Sequence, residues 1–421
     1  MIDRIKELIN QQQARNASFV KDWERYKTKD VEIFHRQLPS TQKINNRINH
    51  DFVGVLVNTK VSHFLGHSIS ISFDEATDEK TSTLLKLRRY TAFDRVLMEL
   101  GIQAGVFGYG ICLAYIDSNG KFNFTEVDPF TAYFAEDLAF RIFKDLDEEK
   151  KEVEIIEAYD KQNKYFFIKK EENIEPLSEY KGIQSGMKHL FNDIPLFKFR
   201  NNKEELSETY RVRNNINAVD KLISDLISEI EQFRLAYIKF IGVEPTPEQI
   251  DAMIQTGALC IPGDNPHADV GFITKTIDIQ GILNAIALEE KNIFKFAQTY
   301  DSHGDRTGYG QLTNLGIHFL MAPINANCNK TITYFKESLY KLFEFYSQTM
   351  EGKWLDPLEL SFTFTLDTPR NILEESQIQQ NLTGIVSTET RLKIATFVDD
   401  PYKEILRMET EQEAKSEEDY L

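Results

Sequence analysis

The sequence predicts an α+β protein, and three observations lead to this class. Residues 214–240 and 279–300 place apolar side chains at the i, i+3, i+4, i+7 spacing of amphipathic helices. A third helical run covers about 312–349. Between residues 110 and 200, short apolar segments alternate with turn signals, which is typical of antiparallel strands. Long helices and a β-rich region therefore occupy different parts of the chain.

Composition limits the classes of protein to consider. The chain has 421 residues, 41% of them hydrophobic, so it can bury a sizeable core divided over two or three domains. Its formal net charge of −17 argues against a surface that grips nucleic acid, because that grip comes from clustered Lys and Arg. The charge is compatible with a protein past which DNA slides.

The sequence also indicates where the protein resides. No apolar run is long enough to span a bilayer, and the first residues lack a signal core, so we expect a soluble, intracellular protein without a membrane partner. The three cysteines, Cys112, Cys260 and Cys328, are far apart, which predicts neither a disulfide framework nor a zinc ribbon.

Before the β-rich region, the pattern predicts mainly helices. Residues 1–9 and about 15–28 are predicted as two short helices, and 29–47 as an irregular arm. A helix at 51–65 is followed by a strand at 68–73, and another helix covers 91–106.

The β-rich region begins with a predicted hairpin. Its strands, 111–116 and 121–127, are joined by a turn that contains Asn119 and Gly120, a pair favoured in tight hairpins. Further strands are predicted at about 131–134, 139–144, 153–159 and 164–169, and the polar stretch 171–187 is assigned none.

The two central helical runs enclose a small α/β segment. Thr246 and Gln249 form a capping box around Pro247, which predicts a short helix that ends near Gly257. Two strands, 258–261 and 269–277, are predicted after it, joined by a turn-rich loop.

The remaining chain is predicted to be helical, with one strand. A glycine-rich loop covers 301–310, and Pro323 is expected to kink the long helix that follows. A strand at 359–366 and helices at about 371–384 and 388–397 precede an acidic tail.

No motif for catalysis, nucleotide binding or metal binding is present. His63 and His67 have the i, i+4 spacing of metal ligands, but Gly66 ends their helix, so we expect no metal site and no cofactor. Asp225 and Glu229 lie one turn apart, and a solvated helix face is their favoured interpretation. An intracellular α+β enzyme that uses the carboxylates of the central helices is the alternative. A coiled-coil scaffold is disfavoured because the apolar repeat is too short.

Several stretches, in order, resemble one protein family. They include 58–69 (NTKVSHFLGHSI), 108–110 (GYG), 125–129 (TEVDP), 199–202 (FRNN), 215–225 (NINAVDKLISD), 369–371 (PRN), 387–390 (STET) and 398–401 (VDDP). In this order, across residues 50–410, the chain resembles the portal proteins of long-tailed, siphovirus-type bacteriophages of Gram-positive bacteria.

The resemblance implies a subdivision of the chain within a dodecameric ring. An α/β wing would comprise 1–213 and 313–366, including the kinked long helix. The two-helix stem would be 214–240 and 279–300, and the small α/β clip 241–278. The tunnel loop would be 301–312, and a helical crown would cover 367–421.

The resemblance also implies function and partners. Such a ring would sit at one capsid vertex as a conduit for double-stranded DNA, without sequence specificity, during packaging and ejection. Terminase, the major capsid and scaffolding proteins and head–tail adaptor proteins would attach to it. We therefore expect a protein of the virion, present in the host cytoplasm during assembly, that is not an enzyme.

The candidate site residues follow from this resemblance and from the helix pattern. Arg306 is expected to contact DNA phosphates transiently, and Pro323 to kink the long helix. The channel lining is predicted as Asp225, Glu229, Glu289, Glu290 and Lys295, the tunnel loop as Asp301, Ser302, His303, Gly304, Asp305, Arg306, Thr307 and Gly308, and the clip loop as Gly263, Asp264, Asn265 and His267.

Overall fold

The computed structural model of the protein describes most of the chain. The described residues are 1–38, 44–73, 77–146, 150–171, 173–233, 237–242, 244–256, 267, 269–273, 278–301, 314–368, 372–395, 398, 404–405 and 407–411.

The amino-terminal part is helical, as predicted, with two corrections. Residues Ile2–Tyr26 form one continuous helix, and residues 10–14, which separated the two predicted helices, are helical because Gln and Ala are good helix formers. A helix at 78–90 was not predicted; Thr77 caps it by accepting a hydrogen bond from the Lys80 amide at 3.2 Å. In order, the elements are α1 (Ile2–Tyr26), α2 (Phe52–Leu65), β1 (Ser70–Phe73), α3 (Asp78–Tyr90) and α4 (Phe93–Phe107).

The β-rich region forms two main antiparallel sheets, and the predicted hairpin is confirmed. The stretch 171–187, to which no strand was assigned, contributes short strands, some of which pair with the larger sheet and two of which pair with each other. The strands are β2 (Tyr109–Ile116), β3 (Phe122–Val127), β4 (Ala132–Phe134), β5 (Ala139–Leu146), β6 (Glu152–Tyr159), β7 (Asn163–Lys170), β8 (Asn173–Pro176), β9 (Glu179–Tyr180), β10 (Ile183–Gln184), β11 (Met187–Lys188) and β12 (Leu196–Arg200).

Strand pairing assigns these strands to separate sheets. Strands β12, β2 and β3 form a three-stranded sheet in that order, and a six-stranded sheet has the order β11-β7-β6-β5-β4 with β8 also on β7. Ile5 and Leu8 of α1 pack on the larger sheet against Phe140 and Ile156. This contact stabilises α1, since its apolar face is covered.

The second half of the chain contains the long helices. Its elements are α5 (Arg213–Phe233), β13 (Tyr237–Ile241), α6 (Pro247–Thr256), β14 (Asp269–Ile273), α7 (Ile279–Phe296), α8 (Asn314–Ser347), β15 (Leu360–Thr363), α9 (Ile372–Asn381) and α10 (Thr388–Ile394). Helix α8 packs with α2 and α4 in one core cluster that contains Phe64, Leu97 and Phe335. Strand β15 pairs with β1. The described chain therefore mixes helices with antiparallel sheets, which confirms the α+β class.

The first central helix is shorter than predicted. It ends at Phe233 instead of residue 240, and residues 237–241 form β13, which pairs antiparallel with β14. The prediction was wrong because the helical period continues through residues whose β-branched and aromatic types also suit a strand, and pairing with β14 favours the strand. The strand predicted at 258–261 lies outside the described residues.

Two local predictions in this half concern a cap and a proline. The Thr246 amide donates to Gln249 Oε1 at 3.0 Å, and the Gln249 amide donates to Thr246 Oγ1 at 3.4 Å, which confirms the reciprocal pattern of a capping box. Pro323 lies inside α8, and the kink that it is expected to cause stays a prediction. In the described part of the chain, no helix combines the length and the apolar character that crossing a bilayer requires.

Candidate functional site

Helices α5 and α7 lie side by side and share an apolar cluster. The cluster includes Val219 and Leu226 of α5 with Ile286 and Ile293 of α7. Near the beginning of α5, Asn215 Nδ2 donates to Glu289 Oε2 at 2.7 Å. Since β13 follows α5 and pairs antiparallel with β14, which precedes α7, the two helices run in opposite directions. The two central helical runs therefore form an antiparallel pair.

A second face of α5 is covered by residues 44–50, which we call the strap. The backbone amides of His50, Ile48 and Asn46 donate to Asp220 Oδ1, Ser224 Oγ and Ser228 Oγ at 2.9, 3.0 and 3.0 Å. Two residues of extended chain advance about 6.6 Å, and four residues of helix advance about 6 Å. Alternate strap amides therefore meet successive turns of α5.

Side chains reinforce the strap. Asn46 Nδ2 donates to Glu231 Oε2 at 2.8 Å, and His50 Nδ1 lies 3.0 Å from Asp220 Oδ1. Burial raises the pKa of Asp220, and the hydrogen bonds from His50 only partly oppose this effect. The strap was predicted only as an irregular arm, and no local pattern marked its contacts with α5.

The predicted lining residues of α5 lie beside the strap. Asp225 forms an ion pair with Arg36, whose side chain is 12% exposed, while the Asp225 side chain remains 45% exposed. At 100° per residue, Asp225 and Glu229 point about 40° apart on the helix. The two carboxylates therefore share one side of α5, and Arg36 offsets the charge of the first.

The predicted lining residues of α7 do not share one side. Glu289 and Glu290 are partly buried, and Glu289 contacts α5 through Asn215. Lys295 is exposed, with its Nζ 5.9 Å from the centre of the Phe296 ring. On a helix, Lys295 points about 140° away from Glu290 and about 120° away from Glu289. The structure therefore does not bring these three side chains together.

The two predicted loops are described only at single positions. Asp301 is partly buried, and Ser302, His303, Gly304, Asp305, Arg306, Thr307 and Gly308 lie outside the described residues. In the clip loop, His267 is exposed, and Gly263, Asp264 and Asn265 lie outside the described residues.

Apolar side chains are exposed at the ends of α5 and α7 that adjoin β13 and β14. Ile227 and Ile230 of α5 are 38% and 40% exposed, and Ile279 and Leu283 of α7 are 44% and 45% exposed. Toward the other end of the helix pair, Val219 and Ile293 are buried, although Phe296 of α7 is 46% exposed. We call the four exposed residues the distal apolar patch. The apolar stripe was visible in the sequence, but the part of it that stays uncovered was not.

The described residues offer little for catalysis near the central helices. They contain no group of three or more His, Cys, Asp or Glu side chains placed to hold a metal ion. A cavity of about 820 Å³ lies between α3 and the end of α8, with Lys80, Tyr90 and Trp354 in its wall, and none of the predicted site residues lines it.

Comparison with known proteins assigns the chain to a family. A family model described as "Phage portal protein, SPP1 Gp6-like" matches residues 5–418. The portal protein of Bacillus phage SPP1 is 22% identical over 411 residues, which cover 91% of this chain and 79% of that protein. The portal protein of Clostridium phage phiCD119 is 22% identical over 437 residues, covering 95% of this chain and 93% of that protein.

Proposed function

Because this chain belongs to the SPP1 Gp6-like family of phage portal proteins, we propose that twelve copies form a ring at one capsid vertex. The portal function is carried by one observation, the family match over residues 5–418. A portal protein is a component of the phage capsid. The ring is the conduit through which double-stranded DNA enters during packaging and leaves during ejection.

The distal apolar patch supports the ring. Its four aliphatic side chains are each about 40% exposed toward the same end of one helix pair, and burying them would stabilise an interface. A contact that repeats head to tail with a fixed rotation closes into a ring. We propose that the patch contacts the neighbouring copy.

Within this ring, the subdivision by resemblance is adjusted to the observed helix ends. The stem consists of α5 and α7, and the clip includes β13, α6 and β14. The wing consists of the elements before α5 together with α8 and β15, and the crown includes α9 and α10. The tunnel loop joins α7 to α8.

DNA passes through the channel without sequence recognition. A net charge of −17 limits phosphate binding, and each phosphate contact that a cation makes must be broken as DNA advances. We propose that Asp225, Glu229, Glu289, Glu290 and Lys295 line the stem, and that Arg306 contacts phosphates transiently. The ring itself is not an enzyme, because a separate terminase hydrolyses nucleotide to drive the DNA. Capsid, scaffolding and head–tail adaptor proteins attach in the host cytoplasm.

The test compares phage heads that are assembled with and without this protein. We expect the purified protein to form rings with a central hole in negative-stain images, and heads to fill with DNA only when the protein is supplied. Heads that fill equally well without it would contradict the portal function. If filling requires the protein but the protein is monomeric in the heads, the proposal of a ring is contradicted.

A further inference from the structure

A buried cation lies where α2 and the 201–208 segment meet α8. Lys60, on α2, is 3% exposed. Its ammonium donates to Glu208 Oε2 at 2.7 Å, Asn201 Oδ1 at 2.8 Å and Asn327 Oδ1 at 3.2 Å. All three of its N–H groups therefore have partners, which offsets the large cost of burying a charge. We call these four residues the Lys60 cluster.

The cluster contacts both helices that flank the connection between α7 and α8. Asn327 is on α8, and its Nδ2 donates to Glu208 Oε1 and to the backbone oxygen of Ala297, the latter at 3.4 Å. Ala297 is the residue that caps the end of α7. One turn further along α8, Thr331 Oγ1 donates to the Asn201 carbonyl at 2.9 Å. Both the end of α7 and the body of α8 are therefore held by one set of polar groups.

The cluster lies just beyond the weakest place in α8. Pro323 has no amide hydrogen, so the carbonyl of Phe319 lacks its normal helical partner. Immediately after Pro323, Asn325 contacts a second buried side chain of α2, with its Oδ1 2.7 Å from Nε2 of His63. Polar contacts from α2 therefore begin where the hydrogen bonding of α8 is interrupted.

Such a cluster specifies position more than it adds stability. Apolar side chains of similar volume often stabilise a buried site as well as an ion pair does, but they pack without strict direction. Hydrogen bonds from one ammonium to three oxygens require a single arrangement of α2, α8 and the 201–208 segment. The cluster thus fixes α8 at Asn327, one turn after Pro323, relative to α2 and the 201–208 segment.

We propose that Lys60 is a positioning residue for DNA passage, because its buried ammonium holds Asn327 of α8 and, through Asn327, Ala297 at the end of α7. The two helices that flank the α7–α8 connection are thereby kept in one arrangement. This inference rests on the proposed portal function, in which that connection carries the tunnel loop. Lys60 itself contacts no DNA in this role.

The test measures amide hydrogen exchange of the purified full chain for the segment 314–326. Lys60→Met leaves Glu208 buried without its cation, so the double variant Lys60→Met/Glu208→Met, which removes both charges, is the informative one. Asn327→Ala keeps the ion pair and removes the link to Ala297 together with the hydrogen bonds that join Asn327 to Lys60 and Glu208. This variant decides the question if the double variant does not fold. Lys341→Met is the matched control, because Lys341 joins α8 to Asp193 through an ion pair whose lysine is about one-third exposed.

The expected result is local. Exchange in 314–326 becomes faster in the double variant and in Asn327→Ala, while 330–347 and the Lys341→Met control match the wild type. Rings still form, but most DNA filling of heads is lost. Unchanged exchange in 314–326, or full DNA filling by both variants, would overturn the proposal. Wild-type protein that fails to support filling would instead refute the portal function and leave the exchange result intact.

Discussion

At the scale of single residues, Gly108 and Gly110 show why the GYG stretch has its composition. Gly108 has a φ of +93°, and a Cβ there would lie 1.9 Å from the Glu205 carbonyl oxygen. A Cβ at Gly110 would lie 2.5 Å from the Leu100 carbonyl oxygen. Both contacts are with backbone, which cannot move aside cheaply. The GYG stretch at the start of β2 is therefore required by packing between α4, β2 and the 201–208 segment.

We expect Gly108→Ala to destabilise the protein by more than the ~1–2 kcal/mol that a left-handed conformation costs an L residue. The added clash with a backbone oxygen is the physical reason. Urea unfolding of the purified protein measures the loss. Gly120→Ala is the control, because Gly120 has a φ of +75° and a Cβ added there would meet no atom within 4 Å. Equal losses at the two sites would show that the close approach is unimportant.

Glu157 predicts a specific dependence of stability on pH. Burial opposes its ionisation, but Arg141 and Lys164 outweigh burial and hold the pKa of this carboxyl below its usual value of 4.5. A lowered pKa in the folded state contributes stability above the unfolded pKa, and this contribution is lost as pH falls through the folded pKa.

We therefore expect Glu157→Gln to lower the thermal unfolding temperature at pH 7, and the difference from wild type to shrink as pH falls below about 4.5. Calorimetry at pH 7, 5 and 3.5 measures this difference. Glu337→Gln is the control, since Glu337 pairs with Arg200 while 64% exposed and should change little. A difference that stays constant with pH would contradict the assignment.

At the scale of elements, α5 is held by contacts from distant parts of the chain. Helix α7 covers its apolar side, and the strap covers its polar side through Asp220, Ser224 and Ser228. Each such hydrogen bond contributes about 1 kcal/mol, so the strap depends on several bonds together. The two serines are suited to this position because a hydroxyl accepts a bond without needing a counter-charge.

Removing the two hydroxyls should release part of the strap. In Ser224→Ala/Ser228→Ala, we expect faster hydrogen exchange at the amides of Ile48 and Asn46, with the His50 amide still protected by Asp220. Nuclear magnetic resonance or mass spectrometry reads the exchange. Ser338→Ala is the matched control, because that helical serine donates to the Lys198 carbonyl at 2.9 Å and does not contact the strap. Unchanged exchange at the Ile48 amide would argue against these hydrogen bonds between the strap and α5.

At the scale of the whole molecule, the proposed ring depends on surface that a single copy leaves exposed. The distal apolar patch is a surface of α5 and α7 whose contact with water is unfavourable in an isolated copy. The net charge of −17 adds repulsion between copies, so apolar contact must offset it. Ring formation should therefore depend on this patch and become easier at higher ionic strength, which screens the repulsion.

We expect Ile227→Glu/Leu283→Glu to prevent ring assembly while leaving the unfolding temperature of the single chain nearly unchanged, since both side chains are exposed there. Light scattering and negative-stain imaging measure the assembly. Leu288→Glu is the matched control, because Leu288 is 58% exposed and points about 140° away from Leu283 on α7. If the double variant still forms rings, or if only the control loses them, the contact between copies does not involve the distal apolar patch.

Local patterns were sufficient for most of the fold. The i, i+3, i+4 stripes located α2, α4, α5, α7 and α8, because an amphipathic helix places its buried face at regularly spaced positions. The Asn119–Gly120 turn and the capping box at Thr246 were predictable because their hydrogen bonds join residues at most a few positions apart. The ordered stretches of resemblance indicated the portal family before any geometry was known.

Tertiary structure alone decided the features that join distant parts of the chain. Pairing with β14 ends α5 at Phe233, the strap brings Asn46 to Ser228, and one ammonium gathers Glu208 and Asn327 around Lys60. Which of the predicted lining carboxylates on α7 meets α5 was likewise decided by packing, which places Glu289 against Asn215. Local periodicity reports which side chains prefer burial, but the partner that buries them, or satisfies their polar atoms, is chosen by three-dimensional contacts between residues far apart in sequence.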